Sequence, residues 1–449
     1  AALGSPVASR VTKCGHAEVT ALLFEETQTD TAETALVDRA SVSSFDAGAV
    51  AVAECAAAAC ASAGGNAVAE CAASLVRELE SEATQNATNA TPRSGRSRLA
   101  MYCLGELARL PPSAGRASAL GDARVAASFE TLARDAFETR SEKKSGVESH
   151  AQTSTVKHGD ESFVTPAAFA LGGACAGLES RARFLPFVVA GVAAAADARA
   201  EYAFLVATRE AIFSASRDDR RDDGWSLAAN SNDSRSTDDS ENRVAQTESS
   251  SFFTSSETSS LVEALLAAAE RTKEEGARAV VAECLGRLAA RETSSFLNDD
   301  DDERSEGLGL MARLRGDARD ARLGPGRRST AIAAAKHAVL HCYTPAARAA
   351  LIHRALPGFV NFETVTDAAT RVAATRCLSA AAHAEPAAVA SSRATDWIGA
   401  VAPAIFAQTP VDKTLVRVVD LGPFKHTVDD GLETRKAAFE CLATLLDAF

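Results

Sequence analysis

Two histidines one helical turn apart, His337 and His341, are a pair of side chains with the spacing to bind a metal ion. In zinc metalloproteases such a pair lies on a helix that also carries a glutamate, the general base, directly after the first histidine. Here that position is Ala338, so the general base is missing. Histidines of the core or the surface are the better interpretation, and we predict no metal site.

Two further stretches contain residues suited to binding ions or phosphate. The acidic run at residues 298–303 has the charge of a calcium loop, but it lacks the alternating ligands and the central glycine. The basic, glycine-containing segment at residues 324–328 follows no predicted strand and is not followed by Lys-Ser or Lys-Thr, as a phosphate loop requires. We therefore predict a protein that is not an enzyme, with no catalytic, cofactor-binding or metal-binding residues.

The composition favours packed helices over sheets. The 449 residues are 46% hydrophobic and 24% charged, as in folded proteins, but only 5% aromatic and very rich in alanine. The formal net charge of −13 opposes binding to nucleic acid and to anionic lipid. The ten cysteines lie mostly on apolar helical faces, where cysteine acts as a small hydrophobe. We expect a reducing compartment, the cytoplasm and the nucleus.

The ends of the sequence and its longest apolar run bear on targeting. The run at residues 187–196 is about half as long as a membrane-spanning helix, and no charged region precedes an apolar one at the N-terminus. We expect neither a membrane segment nor a signal peptide. Because the chain begins with Ala1 and stops inside a helical pattern at Phe449, we expect a fragment of a longer protein.

One helix type recurs along the chain, with a small residue followed by leucine and often by glycine. Two further helices, at residues 201–213 and 330–342, fall between the copies, and the shorter intervals are close to the ~40 to 47 residues of a HEAT or armadillo repeat. We predict an all-α, HEAT/armadillo-type α-solenoid superhelix with one small β-hairpin near the C-terminus. The copies are Cys103-Leu104-Gly105, Ala170-Leu171-Gly172, Cys284-Leu285-Gly286, Cys377-Leu378 and Cys441-Leu442.

The predicted domain organisation alternates repeats with polar insertions. The insertions are rich in Ser, Asp, Glu, Arg and Gly and cannot bury enough apolar surface to offset the entropy of ordering, so we expect them to be disordered. They lie at residues 138–161, 217–260 and 292–328. The other segments are a poorly patterned N-terminus at 1–43, HEAT-like repeats at 44–137, 162–216, 261–291 and 329–414, and a hairpin with the start of a C-terminal domain at 415–449.

The hairpin is the least generic stretch of the chain. Aliphatic residues dominate 415–421, apolar and polar residues alternate over 424–428, and Gly422-Pro423 between them suits a type II′ turn. Asp430, with Glu433 three residues on, predicts a capping box at the start of the final helix. Because an isolated hairpin is marginal in water, this one either lies on its own domain or contacts a partner. The apolar residues expected on one face of the final helix are Phe439, Leu442, Leu445, Leu446 and Phe449.

The run Leu-Gly-Pro-Phe-Lys-His-Thr-Val-Asp-Asp-Gly-Leu at residues 421–432, with the following 435–441, closely resembles the C-terminal region of the cullin-associated, neddylation-dissociated proteins, which carry the TATA-binding-protein-interacting C-terminal domain. Residues 280–286 look like a second family segment, and 184–188 and 380–383 are weaker ones in the expected order. The resemblance covers residues 44–449 apart from the insertions, which corresponds to a fragment of the family's C-terminal half.

The resemblance implies a non-catalytic HEAT-repeat scaffold that binds an unneddylated cullin with its RING subunit. It also implies exchange of adaptor and substrate-receptor modules, and thus a role in SCF complex assembly and protein ubiquitination, because the hairpin competes with the adaptor for the cullin. Neither nucleic acid nor membrane is an expected partner. The alternative is another HEAT-repeat scaffold, such as a transport receptor or a phosphatase scaffold subunit. The implied partner-binding residues are Val418, Val419, Leu421, Gly422, Pro423, Phe424, Lys425, His426 and Thr427.

Overall fold

A computed structural model describes ten ranges of the chain, and they fall into two compact units, residues 1–252 and 253–449. None of the described helices is both long and apolar enough to cross a bilayer. The described ranges are 42–63, 66–89, 94–110, 119–137, 161–224, 253–292, 309–342, 344–362, 367–420 and 425–449.

The first unit consists of helices in two layers. One layer stacks α1 on α3, α3 on α5 and α5 on α7, while α2, α4 and α6 flank it. Each helix therefore packs mainly on its near neighbours in sequence, as in an α-solenoid. The helices are α1 (Val42–Ala63), α2 (Ala67–Asn89), α3 (Gly95–Ala108), α4 (Ala123–Phe137), α5 (Glu161–Ala176), α6 (Leu178–Ala193) and α7 (Ala198–Gly224).

The second unit repeats this arrangement and adds the hairpin. Helices α9, α11, α13 and α16 stack in that order, and α8, α10, α12, α14 and α15 flank them. The predicted fold class, helical repeats with one small hairpin, is confirmed. The elements are α8 (Ser255–Arg271), α9 (Glu275–Glu292), α10 (Leu310–Arg319), α11 (Pro325–His341), α12 (Pro345–Arg354), α13 (Ala368–Ala384), α14 (Pro386–Val389), α15 (Ser392–Phe406), β1 (Val416–Asp420), β2 (Lys425–Asp429) and α16 (Leu432–Ala448), with 3₁₀ turns at Leu356–Gly358 and Lys413–Leu415.

The recurrent helices of the sequence are the members of the stacked layer, and their small residues are where the helices touch. A methyl group added at Gly286 of α9 would lie 2.4 Å from the carbonyl oxygen of Ala334 and 2.9 Å from the amide nitrogen of Ala338, both in α11. In the first unit, a methyl group at Gly173 of α5 would lie 2.4 Å from the carbonyl oxygen of Gly105 in α3. Glycine is required at these positions because the neighbouring backbone leaves no room for a side chain.

Parts of two predicted insertions are helical, so the expectation of disorder is wrong there. Helix α8 begins inside residues 217–260, with a capping box in which Thr254 and Glu257 satisfy each other's backbone N–H groups. Helix α10 lies inside residues 292–328 because it buries Leu310 and Leu314 against the unit. The structure also describes residues 253–254, 309 and 320–324 and the ends of α7, α9 and α11. The remainder of these two insertions and residues 138–160 lie outside the described residues, and the domain bounds stay predictions.

We expect Gly286→Ala to lower the free energy of unfolding by about 2 kcal/mol, because the new methyl group would force α9 and α11 apart. The matched control is Gly399→Ala in α15, where a methyl group would meet nothing within 4 Å. Alanine at that open helical position should instead raise stability by up to about 1 kcal/mol. Urea unfolding followed by circular dichroism measures both changes. Equal effects of the two substitutions would contradict the proposed close packing.

Candidate partner-binding site

The hairpin forms where the sequence predicts it, as two antiparallel strands. Val418 lies opposite Thr427, Val419 opposite His426, and Asp420 opposite Lys425. Because successive side chains of a strand point to opposite faces, Val418 and Thr427 share one face while Val419 and His426 share the other. The structure thus brings five of the predicted site residues together. The remaining four, Leu421, Gly422, Pro423 and Phe424, lie outside the described residues, together with the predicted turn.

A hydrogen-bonded turn directs the chain into β1. Asp412 accepts hydrogen bonds from the hydroxyl of Thr414 at 2.6 Å and from its backbone N–H at 2.9 Å, and the 3₁₀ turn at 413–415 follows. These hydrogen bonds, led by the hydroxyl, hold the pKa of Asp412 below its usual range. The carboxylate is therefore charged at neutral pH and keeps the turn closed.

Two aspartates hold the base of the hairpin. The Asp429 carboxylate pairs with Arg435 of α16 and accepts a hydrogen bond from the backbone N–H of Gly431 at 2.9 Å. Next to it, the Nε–H of Arg417 in β1 donates to Asp430 at 2.8 Å, and the Asp430 backbone N–H donates to the Leu415 carbonyl at 3.0 Å. Asp429 ties the hairpin to the first turn of α16, so the direction of the hairpin depends on that helix.

The predicted capping box at Asp430 is wrong. The N-cap of α16 is Gly431, which has no side-chain cap, and the side chain of Asp430 turns back to Arg417 instead. Glu433 pairs with Arg376 of α13 at 2.9 Å. Both carboxylates that the capping box would use are instead in ion pairs with arginines of neighbouring elements. Local spacing showed which residues were available but not which cationic partners the fold would bring to them.

The predicted hairpin residues are largely exposed. The side chain of Val418 is 63% exposed, and Lys425, His426 and Thr427 are all exposed, while Val419 is intermediate. The main neighbour of each strand is the other strand. An aliphatic residue and two basic residues are thus presented to solvent on a hairpin fixed at its base. The arrangement is suited to contact with another macromolecule.

The final helix buries a different face from the predicted one. Ala437, Ala438 and Cys441, together with Leu445, face the unit, whereas Phe439 and Leu446 are 59% and 80% exposed. Of the predicted apolar face, only Leu445 is buried and Leu442 is intermediate. The prediction was wrong because large apolar residues were assumed to mark the core face. In this layer, the small residues do so.

Sequence reasoning also missed that exposed apolar residues are concentrated around the hairpin. Large exposed hydrophobic side chains occur on both sides of it, at the end of α15, in the following loop and along α16. Single exposed apolar residues need no explanation, but a concentration of them in one part of a chain points to contact surface. The signal was present in the sequence as large apolar residues beside an alanine-rich face. They are Phe406, Val411, Leu432, Phe439, Leu446 and Phe449.

The histidine pair examined for metal binding lies in the stacked layer. The rings of His337 and His341 are stacked, with centroids 6.0 Å apart, and burial between α9 and α11 lowers the pKa of His337 to about 4. Nearby Lys336 acts in the same direction. Within the described ranges, no three His, Cys, Asp or Glu side chains are grouped to hold a metal ion.

Residues 394–449, which contain most of α15, the hairpin and α16, match the protein family described as "TATA-binding protein interacting (TIP20)". A longer stretch is similar to "Cullin-associated NEDD8-dissociated protein 1" of Arabidopsis thaliana, 36% identical over 177 residues and 39% of this chain. The resemblance inferred from the sequence is confirmed. "Cullin-associated NEDD8-dissociated protein 2" of Mus musculus is 30% identical over 288 residues, 63% of this chain.

A third similar protein is "Cullin-associated NEDD8-dissociated protein 1, C-terminal part" of Emericella nidulans. It is 30% identical to this chain over 179 residues, which is 39% of this chain. The matches span 13%, 18% and 15% of the length of the Arabidopsis, mouse and Emericella proteins. The similarity to the cullin-associated family therefore concerns a small portion of each relative. The matched family domain at 394–449 includes the whole hairpin.

We expect Asp429→Ala to loosen the hairpin and Asp430→Ala to leave it nearly intact. Asp429 and Arg435 are 23% and 20% exposed, whereas Asp430 and Arg417 are 48% and 63% exposed and are screened by water. Hydrogen exchange of the Val428 amide, which faces β1, should accelerate about tenfold or more in Asp429→Ala, following the loss of a charged hydrogen bond. It should accelerate less than about fivefold in Asp430→Ala. The reverse order would show that Asp430 anchors the hairpin.

We expect His337 to make the second unit less stable in acid. Its pKa in the folded chain, about 4, is below the unfolded value of 6.5, so between these values the unfolded state binds more protons. Stability should fall by at most about 3 kcal/mol as pH drops from 6.5 to 4. This loss of stability should be smaller in the His337→Gln variant. The control variant His383→Gln, at an exposed position in α13, should lose as much stability as the unsubstituted chain. Unfolding in urea across this pH range measures the difference, and an unchanged slope in His337→Gln would contradict the assignment.

Proposed function

We propose that this chain is part of a non-catalytic helical scaffold that binds a cullin with its RING subunit when the cullin carries no NEDD8. The names of the similar proteins supply the partner class, since those proteins are called cullin-associated and NEDD8-dissociated. The observation that supports this proposal most directly is the exposed hairpin, which lies inside the matched family domain and is fixed at its base by Asp429 and Arg435. Neither nucleic acid nor a membrane is a partner in this proposal, and the place of action is the cytoplasm and nucleus.

The hairpin is proposed to act by competition. It would occupy the part of the cullin where the adaptor of a substrate-receptor module docks, so that the hairpin and the adaptor exclude each other. By reciprocity of binding free energies, each then weakens the affinity of the cullin for the other. An adaptor would leave faster from a cullin that also engages this protein. Exchange of receptor modules requires no bond to be made or broken, which agrees with a hairpin that offers only noncovalent contacts.

The proposed contacts combine an apolar centre with a cationic rim. Val418 supplies an aliphatic side chain that is 63% exposed before binding and gains free energy when a partner covers it. Lys425 lies on the same face as Val418 and His426 on the opposite face, both at the far end of the strand pair, where they can pair with acidic groups. In such an interface the buried apolar contact contributes most of the affinity, and the rim charges contribute orientation and association rate.

The test replaces two hairpin side chains and leaves the helices unchanged. We expect the double variant Val418→Ser, His426→Ser to increase the rate of adaptor release from the cullin about tenfold less than the unsubstituted chain does. A tenfold difference corresponds to a loss of roughly 1.4 kcal/mol of binding free energy. Release of a fluorescent adaptor from unmodified cullin is followed after adding this chain. The control is Val52→Ser in α1, which removes an exposed aliphatic residue, 39% exposed, outside both the hairpin and the matched family domain.

Two outcomes would count against the proposal. If the double variant accelerates adaptor release as well as the unsubstituted chain, the hairpin is not the competing element. If neither chain retains unmodified cullin in a pull-down, or both retain NEDD8-modified cullin equally, the scaffold has another partner, such as those of transport receptors or phosphatase scaffolds. Circular dichroism of each variant verifies that the helices remain folded.

A further inference from the structure

Helix α16 has two apolar faces of different kinds. On one face, the small side chains of Ala437 and Cys441 are buried where α16 packs on α13. On the opposite face, Leu432, Phe439 and Leu446 follow one another at intervals of seven residues and are 55%, 59% and 80% exposed. Since seven residues make almost two helical turns, these three side chains form one continuous stripe along the helix.

The spacing of this stripe is that of a coiled-coil contact. Leu442 follows Phe439 by three residues and is partly exposed, and Phe449 follows Leu446 by three residues and is 63% exposed. Apolar residues spaced in this way occupy the a and d positions of a heptad, which insert between the side chains of a second helix. These four residues and Leu432 are called the outer seam of α16 below.

The outer seam differs from the faces on which helices of the stacked layer pack. The preceding members of the layer in this unit, α9, α11 and α13, contain no phenylalanine, tyrosine or tryptophan. Two of them meet through a small residue, Gly286, against the backbone of the next helix. Large side chains such as Phe439 and Leu446 hold helix axes further apart. The outer seam therefore fits a helix at coiled-coil separation, and not another closely stacked one.

Two exposed charges lie along one flank of the outer seam. Lys436 and Asp447 are eleven residues apart, which is about three helical turns, so they share that flank. Within the described residues, the ion pairs of α16 use Glu433 and Arg435 and neither of these two charges. When two copies of α16 lie antiparallel across a two-fold axis, the same flank of each helix faces the other copy. Lys436 of each copy then comes beside Asp447 of the other, so the seam is complementary to itself.

We propose that the outer seam binds the same seam of a second copy of this chain, with the two α16 helices antiparallel. Antiparallel helices bring the opposite ends of their macrodipoles together. In a parallel pair, equivalent d positions face each other, so Arg435, the d position after Leu432, would meet Arg435 of the second copy. The antiparallel arrangement places this arginine near Leu446 instead. This self-association goes beyond the proposed cullin binding and does not depend on it.

Sedimentation equilibrium of the whole chain, from about 1 to about 100 µM, measures the association. We expect a monomer–dimer equilibrium. Leu446→Ser should raise its dissociation constant at least about tenfold, because each dimer loses two leucine side chains from the contact. The control is Leu340→Ser in α11, which removes a leucine of the same layer, 39% exposed, outside the outer seam. It should leave the dissociation constant unchanged.

A charge exchange tests the antiparallel arrangement. Lys436→Glu alone and Asp447→Lys alone should each raise the dissociation constant about threefold or more, because each brings two pairs of like charges together in the dimer. The two substitutions combined re-create both ion pairs with the charges reversed. The double variant should therefore return to the dissociation constant of the unsubstituted chain.

Three results would contradict the proposal. A chain that stays monomeric at about 100 µM would overturn it and would indicate that a helix of another protein covers the outer seam. Equal effects of Leu446→Ser and Leu340→Ser would place the contact between copies on another surface. A double charge variant that associates no better than the single variants would overturn the antiparallel arrangement.

Discussion

The close approach of neighbouring helices in the stacked layer is the constraint on which the rest of this structure depends. At Gly286 and Gly173 the facing backbone stands where a side chain would otherwise begin. Helices at such separation gain dispersion contacts along their whole length but accept only small side chains between them. This requirement explains the abundance of alanine and the scarcity of aromatic residues better than helix propensity alone.

The same constraint positions the hairpin. Because α16 packs on α13 through Ala437, Ala438 and Cys441, its first turn is held in a fixed orientation, with Glu433 paired to Arg376. Arg435 on that turn then binds Asp429 and fixes the base of the strands. A hairpin that lacks a hydrophobic core of its own can persist when its base is attached to a rigid element. The proposed site thus owes its geometry to packing on the far side of α16.

Small residues in the layer also carry chemical properties of their own. Cysteine fills the same space as a small hydrophobe, and burial keeps Cys377 and Cys441 protonated by raising their pKa values. In the first unit, the pKa of the Cys60 thiol in α1 is instead lowered, chiefly by hydrogen bonding from Cys71 of α2. The neighbouring thiol is the largest cause of the lowered pKa of Cys60, whereas burial is the largest cause of the raised pKa values of Cys377 and Cys441.

The sequence by itself determined the elements that depend on local pattern. A period near 3.6 and the recurring Cys-Leu-Gly positions identified the stacked helices, and a period of 2 around Gly422-Pro423 placed both strands to within about a residue. Only the tertiary structure decided which face of α16 is buried, since Phe439 and Leu446 are apolar but too large for the gap that Ala437 and Cys441 fill. It also decided that Asp430 binds Arg417 instead of capping a helix. Local patterns describe what each residue favours, whereas these outcomes depend on which partner, at what distance, the neighbouring helix presents.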